Sequence, residues 1–136
     1  MRVEAIDGSI ELCRLAAEYT GIEVRNMLFQ DLDECERYDA IWACSSILHL
    51  PKNELKDVLQ KMICALKPEG IIYTLFKYGE FEGERNGRFF VDFTETSFSK
   101  FIEDISSIRL NSKWITEDVR PRRGNEAWLN LILQKK

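Results

Sequence analysis

The sequence predicts one α/β domain whose sheet is mostly parallel and is closed by an antiparallel pair of strands near its C-terminal end. Three observations predict it. Short apolar stretches of strand character alternate with helical patterns along most of the chain, which is the signature of βαβ units. The last two strand-like stretches, 108–115 and 127–134, are joined by about ten residues that include Pro121 and Gly124, whereas a parallel crossover needs a dozen or more and usually a helix. The composition, 45% apolar and 31% charged over 136 residues, is that of a single globular domain spanning 1–136.

Arg2 to Ile6 reads as a short strand, and Ser9 as the N-cap of a helix in which Leu12, Leu15, Ala16 and Tyr19 recur at helical spacing until Gly21 ends it. Ile22 to Phe29 reads as the next strand, with Ile22 and Val24 at alternate positions. The acidic stretch Gln30 to Arg37 is a loop or short turn. Tyr38 to Ala43 is a mainly apolar run suited to a buried parallel strand that stops at Cys44 to Ser46. After Pro51, the residues Leu55, Val58, Leu59, Met62, Ile63 and Leu66 fall on one helical face, and Lys67 to Gly70 is a stop signal. Ile71 to Lys77 is a further buried strand. Tyr78 to Phe93, with three glycines and several aromatics, reads as a long irregular loop or lid. Thr94 caps a helix that turns Phe98, Phe101, Ile102 and Ile105 inward, and the two closing strands follow.

Several classes are excluded or disfavoured. No apolar run approaches the roughly 20 residues of a bilayer span, and the start MRVEAIDGS has neither the basic nor the apolar region of a secretory signal, so the expected location is the cytoplasm. A net charge of -4 argues against general nucleic-acid binding. Cys13, Cys35, Cys44 and Cys64 form no CxxC pair and have one histidine to help them, so reduced thiols are expected rather than a metal site. That histidine, His49, is the one imidazole available as a base.

Ligands of open α/β sheets bind beyond the carboxyl ends of the strands, and three such ends carry polar residues. The first is Asp7, Gly8 and Ser9, where a carboxylate before a helix N-cap either accepts hydrogen bonds from a ribose diol or simply caps the helix. The second is Asp31 and Leu32, where a carboxylate beside a free backbone N–H suits an adenine edge, unless the acidic loop is merely solvated. The third is Ala43 and Cys44, leading to His49. On the substrate side Arg85, Arg88 and Arg120 are candidates for holding a carboxylate or phosphate, or are plain surface arginines.

Taken together, the segments VEAIDGS, LFQDLDE, YDAIWACSSILHLP, ALKPEGIIYTLFK and WLNLILQKK resemble, in order and spacing, the class I S-adenosylmethionine-dependent methyltransferases, especially small bacterial members. The resemblance implies a Rossmann-like methyltransferase sheet and S-adenosylmethionine as cofactor. It implies that Asp7 holds the ribose hydroxyls with Gly8 and Ser9 beside the adenosine, that Asp31 and Leu32 contact adenine, and that Ala43 and Cys44 line the methionine part. His49 falls where the family often has a histidine, and its alternative role is to cap or pack the next helix. Lys67 to Gly70 matches an architectural turn.

The same resemblance implies a first strand and a GxGxG-like loop ahead of VEAID, and these residues hold neither. The expectation is therefore an N-terminally truncated domain, with weak or absent cofactor binding by these residues alone and with exposed sheet edges that invite a homodimer. Three functions stand open: a methyltransferase acting on a small molecule when complete, a non-catalytic binding or regulatory subunit that pairs with another chain, and a remnant of an NAD-dependent oxidoreductase, since Asp7 serves a dinucleotide ribose equally well.

Overall fold

In a computed structural model of the chain, residues 3–44, 47–117 and 126–136 are described. They form two compact units, 1–33 and 34–136.

The first unit is a βαβ element. Strand β1 (Ala5–Asp7) leads through Ser9 into helix α1 (Ile10–Thr20), which returns to strand β2 (Val24–Asn26) and a 3-10 turn, Phe29–Asp31. The strands pair in parallel, Ala5 opposite Val24 and Asp7 opposite Asn26. Gly21 closes α1 at φ 73°, in the left-handed region that glycine enters without steric cost, and returns its N–H to the Ala17 carbonyl. The helix face is not the predicted one. Cys13 is its one buried residue, whereas Leu12, Leu15 and Tyr19 are exposed. Of the predicted residues Ala16 stays inward, and the face toward the strands is made of Cys13, Ala16 and Ala17, small residues that let the helix lie close, with the Cys13 thiol reaching the carbonyls of Asp7 at 3.3 Å and Arg25 at 3.5 Å. The second strand is also shorter than the predicted 22–29, because the Met27 N–H, donated to the Asp7 carbonyl, is the last rung of the ladder and the chain then tightens into the 3-10 turn.

The second unit is built on a four-stranded sheet in the order β3-β4-β8-β7. Strand β3 (Tyr38–Ala43) is followed by a 3-10 turn, Ile47–His49, and helix α2 (Lys52–Ala65). Strand β4 (Leu66–Lys77) pairs in parallel with β3. A hairpin of β5 (Glu82–Arg85) and β6 (Arg88–Val91), helix α3 (Glu95–Phe101) and strands β7 (Ile108–Glu117) and β8 (Ala127–Lys135) complete it. Strand β8 is antiparallel to both β4 and β7, the reversed strand that the short 115–127 connection requires.

One face of this sheet is the core. Ile72, Thr74 and Phe76 of β4 alternate inward and meet Leu129, Leu131 and Leu133 of β8, all with no exposed surface. The stripe Leu55, Val58, Leu59, Met62 and Ile63 of α2 covers them, at roughly 1.5–3 kcal/mol per fully buried large side chain. The rings of Phe76, Phe93, Phe98 and Phe101 extend this layer, with neighbouring centroids 4.9 to 6.1 Å apart. Thr94 starts α3 with a capping box shared with Ser97.

Three expectations need correction here. Tyr38–Ala43 is not the buried strand its composition suits but, in keeping with the expected exposed edges, an edge strand with one described neighbour, β4, so Trp42 is 73% exposed and stacks on Tyr73 with ring centroids 4.4 Å apart. Helix α2 ends at Leu66, and Lys67 to Gly70 loop out within β4. Between Tyr38 and Ala40 strand β3 advances two residues, while its partner goes from Leu66 to Ile71. Gly70 sits under this excursion, where a Cβ would lie 2.9 Å from the Lys67 carbonyl oxygen and 3.1 Å from that of Asp39. Finally, 78–93 is not irregular. Asn86 and Gly87 both have positive φ, 55° and 79°, the backbone of a tight I′ hairpin, and Arg85 stands opposite Arg88.

Candidate functional site

In the first unit, the turn from β1 into α1 is organised by a carboxylate. Asp7 Oδ1 accepts the Ser9 N–H at 2.8 Å, and Ser9 Oγ accepts the Leu12 N–H at 3.3 Å. Asp7 thus caps the helix entrance, yet its Oδ2 has no partner among the described residues and the side chain is half-buried. Gly8 is exposed, and a Cβ there would meet Leu28 Cδ2 at 3.0 Å. One carboxylate oxygen set aside at a strand end is what a sugar diol can donate to. Asp31 lies exposed at the end of the 3-10 turn. The N–H of Leu32 is not free as expected, since it closes that turn on the Phe29 carbonyl at 3.2 Å, near the long limit of such bonds.

In the second unit, β3 ends at Ala43, which is buried and whose carbonyl accepts the Thr74 hydroxyl at 3.1 Å. Cys44 follows, exposed, and lies near enough to Tyr73 to matter electrically. Burial first, then the Cys44 sulfur, push the Tyr73 phenol up. The buried side chains of Ile47 and Leu48 then fix the 3-10 turn that presents His49. Its Nδ1 is 2.8 Å from the Phe89 carbonyl, and the ring meets Phe90 edge-on at 4.7 Å. A carbonyl only accepts, so Nδ1 carries the proton, and the neutral ring keeps its lone pair on Nε2.

The hairpin that holds His49 also holds Arg85, differently from the expected role. The guanidinium forks onto Asp92, with Nη2–Oδ2 2.7 Å and Nη1–Oδ1 3.4 Å, and lies over the rings of Phe81 and Phe90 at 4.4 and 5.2 Å. Asp92 is 7% exposed, so the arginine neutralises a buried carboxylate before it can serve an external anion. Arg88, across the two-residue turn, is exposed and has no ion pair among the described residues. Arg120, with Arg122 and Arg123, lies outside the described residues.

Sequence alone did not single out Lys77, Asp92 or Glu126. Together with Tyr78, Arg85 and Ala127 they line a cleft of about 200 Å³ at the carboxyl end of β4. Lys77 pairs with Glu126 at 3.3 Å and lies over Phe90 and Trp128. Each cation of the cleft therefore already faces a carboxylate, and a small polar or zwitterionic ligand fits that balance better than a strong anion. The usable signal was Asn86-Gly87 between alternating residues, which brings Asp92 back beside Arg85. A larger, open hollow of about 450 Å³ is lined by Lys56, Lys100, Phe101, Glu103 and Asp104, none of them at a strand end. Among the described residues no group of three or more His, Cys, Asp or Glu can hold a metal, and no helix is long and apolar enough to cross a membrane.

No protein-family model matches the sequence, and no curated protein does. Solved structures do match. The 1,6-didemethyltoxoflavin N1-methyltransferase of Burkholderia thailandensis, solved with S-adenosylhomocysteine, is 20% identical with a TM-score of 0.78, over 99% of this chain and 61% of that one. An S-adenosylmethionine-dependent methyltransferase of Methanosarcina mazei is 16% identical with a TM-score of 0.79, over 98% and 81%. The cyclase SpnF is 14% identical with a TM-score of 0.73, over 99% and 66%. The chain spans about three fifths of the length of the first of these. It has the class I S-adenosylmethionine-dependent methyltransferase fold, and a fold with a cyclase among its matches does not by itself name a reaction.

Proposed function

We propose, from a fold shared with the class I S-adenosylmethionine-dependent methyltransferases, that these residues supply the adenosine-binding part of an S-adenosylmethionine site and that the complete protein methylates a small molecule. The observation that carries the proposal is Asp7. One carboxylate oxygen is fixed by Ser9, which orients the group, and the other is available to a ribose diol. Gly8 keeps the backbone open beside it. Asp31 would accept from the adenine amine, while Leu32 would have to exchange its long bond to Phe29 for the ring.

When bound, the sulfonium supplies an already activated methyl group. What remains for the protein is to align the acceptor and exclude water. The half-buried His49 offers Nε2 to a proton leaving the nucleophile, and the Lys77–Arg85 cleft suits a small polar acceptor. The 136 residues contain no GxG pair whose amides could grip the methionine end, which makes binding by these residues weak.

A second reading, a non-catalytic subunit, is favoured by the two groups already engaged internally, the Leu32 N–H and the Arg85 guanidinium. A thermal-shift titration separates the readings. Millimolar S-adenosylhomocysteine is expected to raise Tm in the natural chain and not in Asp7→Ala, with NAD inert. A larger shift with NAD would establish the dinucleotide reading instead. No shift with either would remove the cofactor proposal and leave the subunit.

A further inference from the structure

At the entrance of β3, away from the strand's carboxyl end, two exposed thiols meet. Cys35 and Cys64 have their sulfurs 3.7 Å apart, and neither is in a disulfide. Their approach is built by the backbone. The N–H of Glu36 donates to the Cys64 carbonyl at 2.9 Å and that of Arg37 to Ala65 at 2.8 Å, which clamps the turn before β3 onto the last residues of α2. Glu36 takes φ 46°, a left-handed conformation uncommon outside glycine, and these two bonds hold it there. The contact with Cys64 is the largest influence on the Cys35 thiol and pushes it up, and Lys135, whose ammonium is fixed on the Leu66 carbonyl at 2.8 Å, opposes that push.

We propose that Cys35 and Cys64 are a reversible redox pair that closes into an intramolecular disulfide by exchange with a low-molecular-weight disulfide such as oxidised glutathione. One thiolate attacks a glutathione sulfur, forms a mixed disulfide and expels a glutathione thiolate. The second protein thiol loses its proton to solvent and attacks the first protein sulfur, expelling the other glutathione thiolate. Two protein thiols are oxidised by two electrons and one glutathione disulfide is reduced to two thiols. The bond would close a loop containing β3, the His49 turn and most of α2, and would tie the free-edged strand to its helix.

The test uses the full chain in glutathione buffers of stepped ratio, read by intact mass, peptide mapping and melting. The expected result is a loss of about 2 Da, a linked pair of tryptic peptides 26–37 and 62–77, and a Tm raised by about 5 °C or more, all reversed by dithiothreitol. Cys35→Ser and Cys64→Ser should each abolish the link, and Cys13→Ser and Cys44→Ser should leave it. Stable glutathione adducts on both cysteines without the 2 Da loss, or a link through Cys44, would overturn the proposal.

Discussion

His49 Nδ1 donates to the Phe89 carbonyl across 2.8 Å, so the tip of a hairpin strand sets the tautomer of the chain's one imidazole. The bond survives ring protonation, because the second proton goes to Nε2. Asn reproduces the Nδ1 donor without the distal base. His49→Asn is therefore expected to keep stability within about 0.5 kcal/mol and His49→Ala to lose about 1–2 kcal/mol by urea denaturation, since only the latter leaves the carbonyl unmatched. If methyl transfer by the complete protein needs a base, both variants lose it alike.

Asp92 depends on Arg85. Removing the guanidinium leaves a carboxylate that is 7% exposed without its counter-charge. Arg85→Ala should cost about 2 kcal/mol, below the full figure for a buried pair because Arg85 itself is 30% exposed. Arg85→Lys should recover only part of it, lacking the fork. Equal stability of all three by chemical denaturation would mean that the pair contributes nothing.

The Tyr78 hydroxyl donates to Glu95 at 2.6 Å, which holds the Glu95 carboxyl below its ordinary 4.5 and the Tyr78 phenol above its ordinary 10.0. As pH falls, the unfolded chain takes up the Glu95 proton first, so this contribution is complete above 4.5 and is lost as pH drops through the folded value. On the alkaline side it is present below 10.0 and lost as pH rises through the raised folded value of Tyr78. Tyr78→Phe should flatten both limbs of a plot of urea midpoint against pH.

Gly70 tolerates no side chain, with two backbone oxygens within 3.1 Å of any Cβ. Gly70→Ala is expected to lose about 1–3 kcal/mol through displacement of the β3–β4 ladder. Gly21→Ala, with open space around the Cβ, should cost only the left-handed backbone strain, about 1 kcal/mol.

Asp7→Asn distinguishes capping from ligand binding. The amide oxygen can still accept from Ser9, so stability should stay within about 0.5 kcal/mol, while replacing the second acceptor by a donor should weaken S-adenosylhomocysteine binding about tenfold or more. Calorimetry at millimolar ligand checks it.

The caps were readable in advance, because Ser9, Gly21 and Thr94 act through their own local chemistry. The α2 stripe and the reversal of β8 were equally readable, from periodicity and from a connection too short for a crossover. What escaped depended on partners distant in sequence. Apolar spacing in α1 marked Leu12, Leu15, Ala16 and Tyr19, but three-residue strands admit only the small side, on which Ala16 lies with Cys13. Tyr38–Ala43 has the composition of an interior strand and the position of an edge. Asp7 was legible as a strand-end carboxylate, whereas the engagement of Arg85 needed Asp92 brought back by the Asn86-Gly87 turn, and that of the Leu32 N–H needed the 3-10 turn.

Strand β8 is the last of the eight strands among the described residues and lies between β4 and β7, with Leu129, Leu131 and Leu133 at its inner face. During synthesis β4 and β7 have no common partner until residues 127–135 have left the ribosome. The sheet of this unit is therefore completed late and by insertion, so α2 must wait on a nascent chain with its apolar stripe only partly covered. Removing those nine residues would not trim an edge but would divide the sheet.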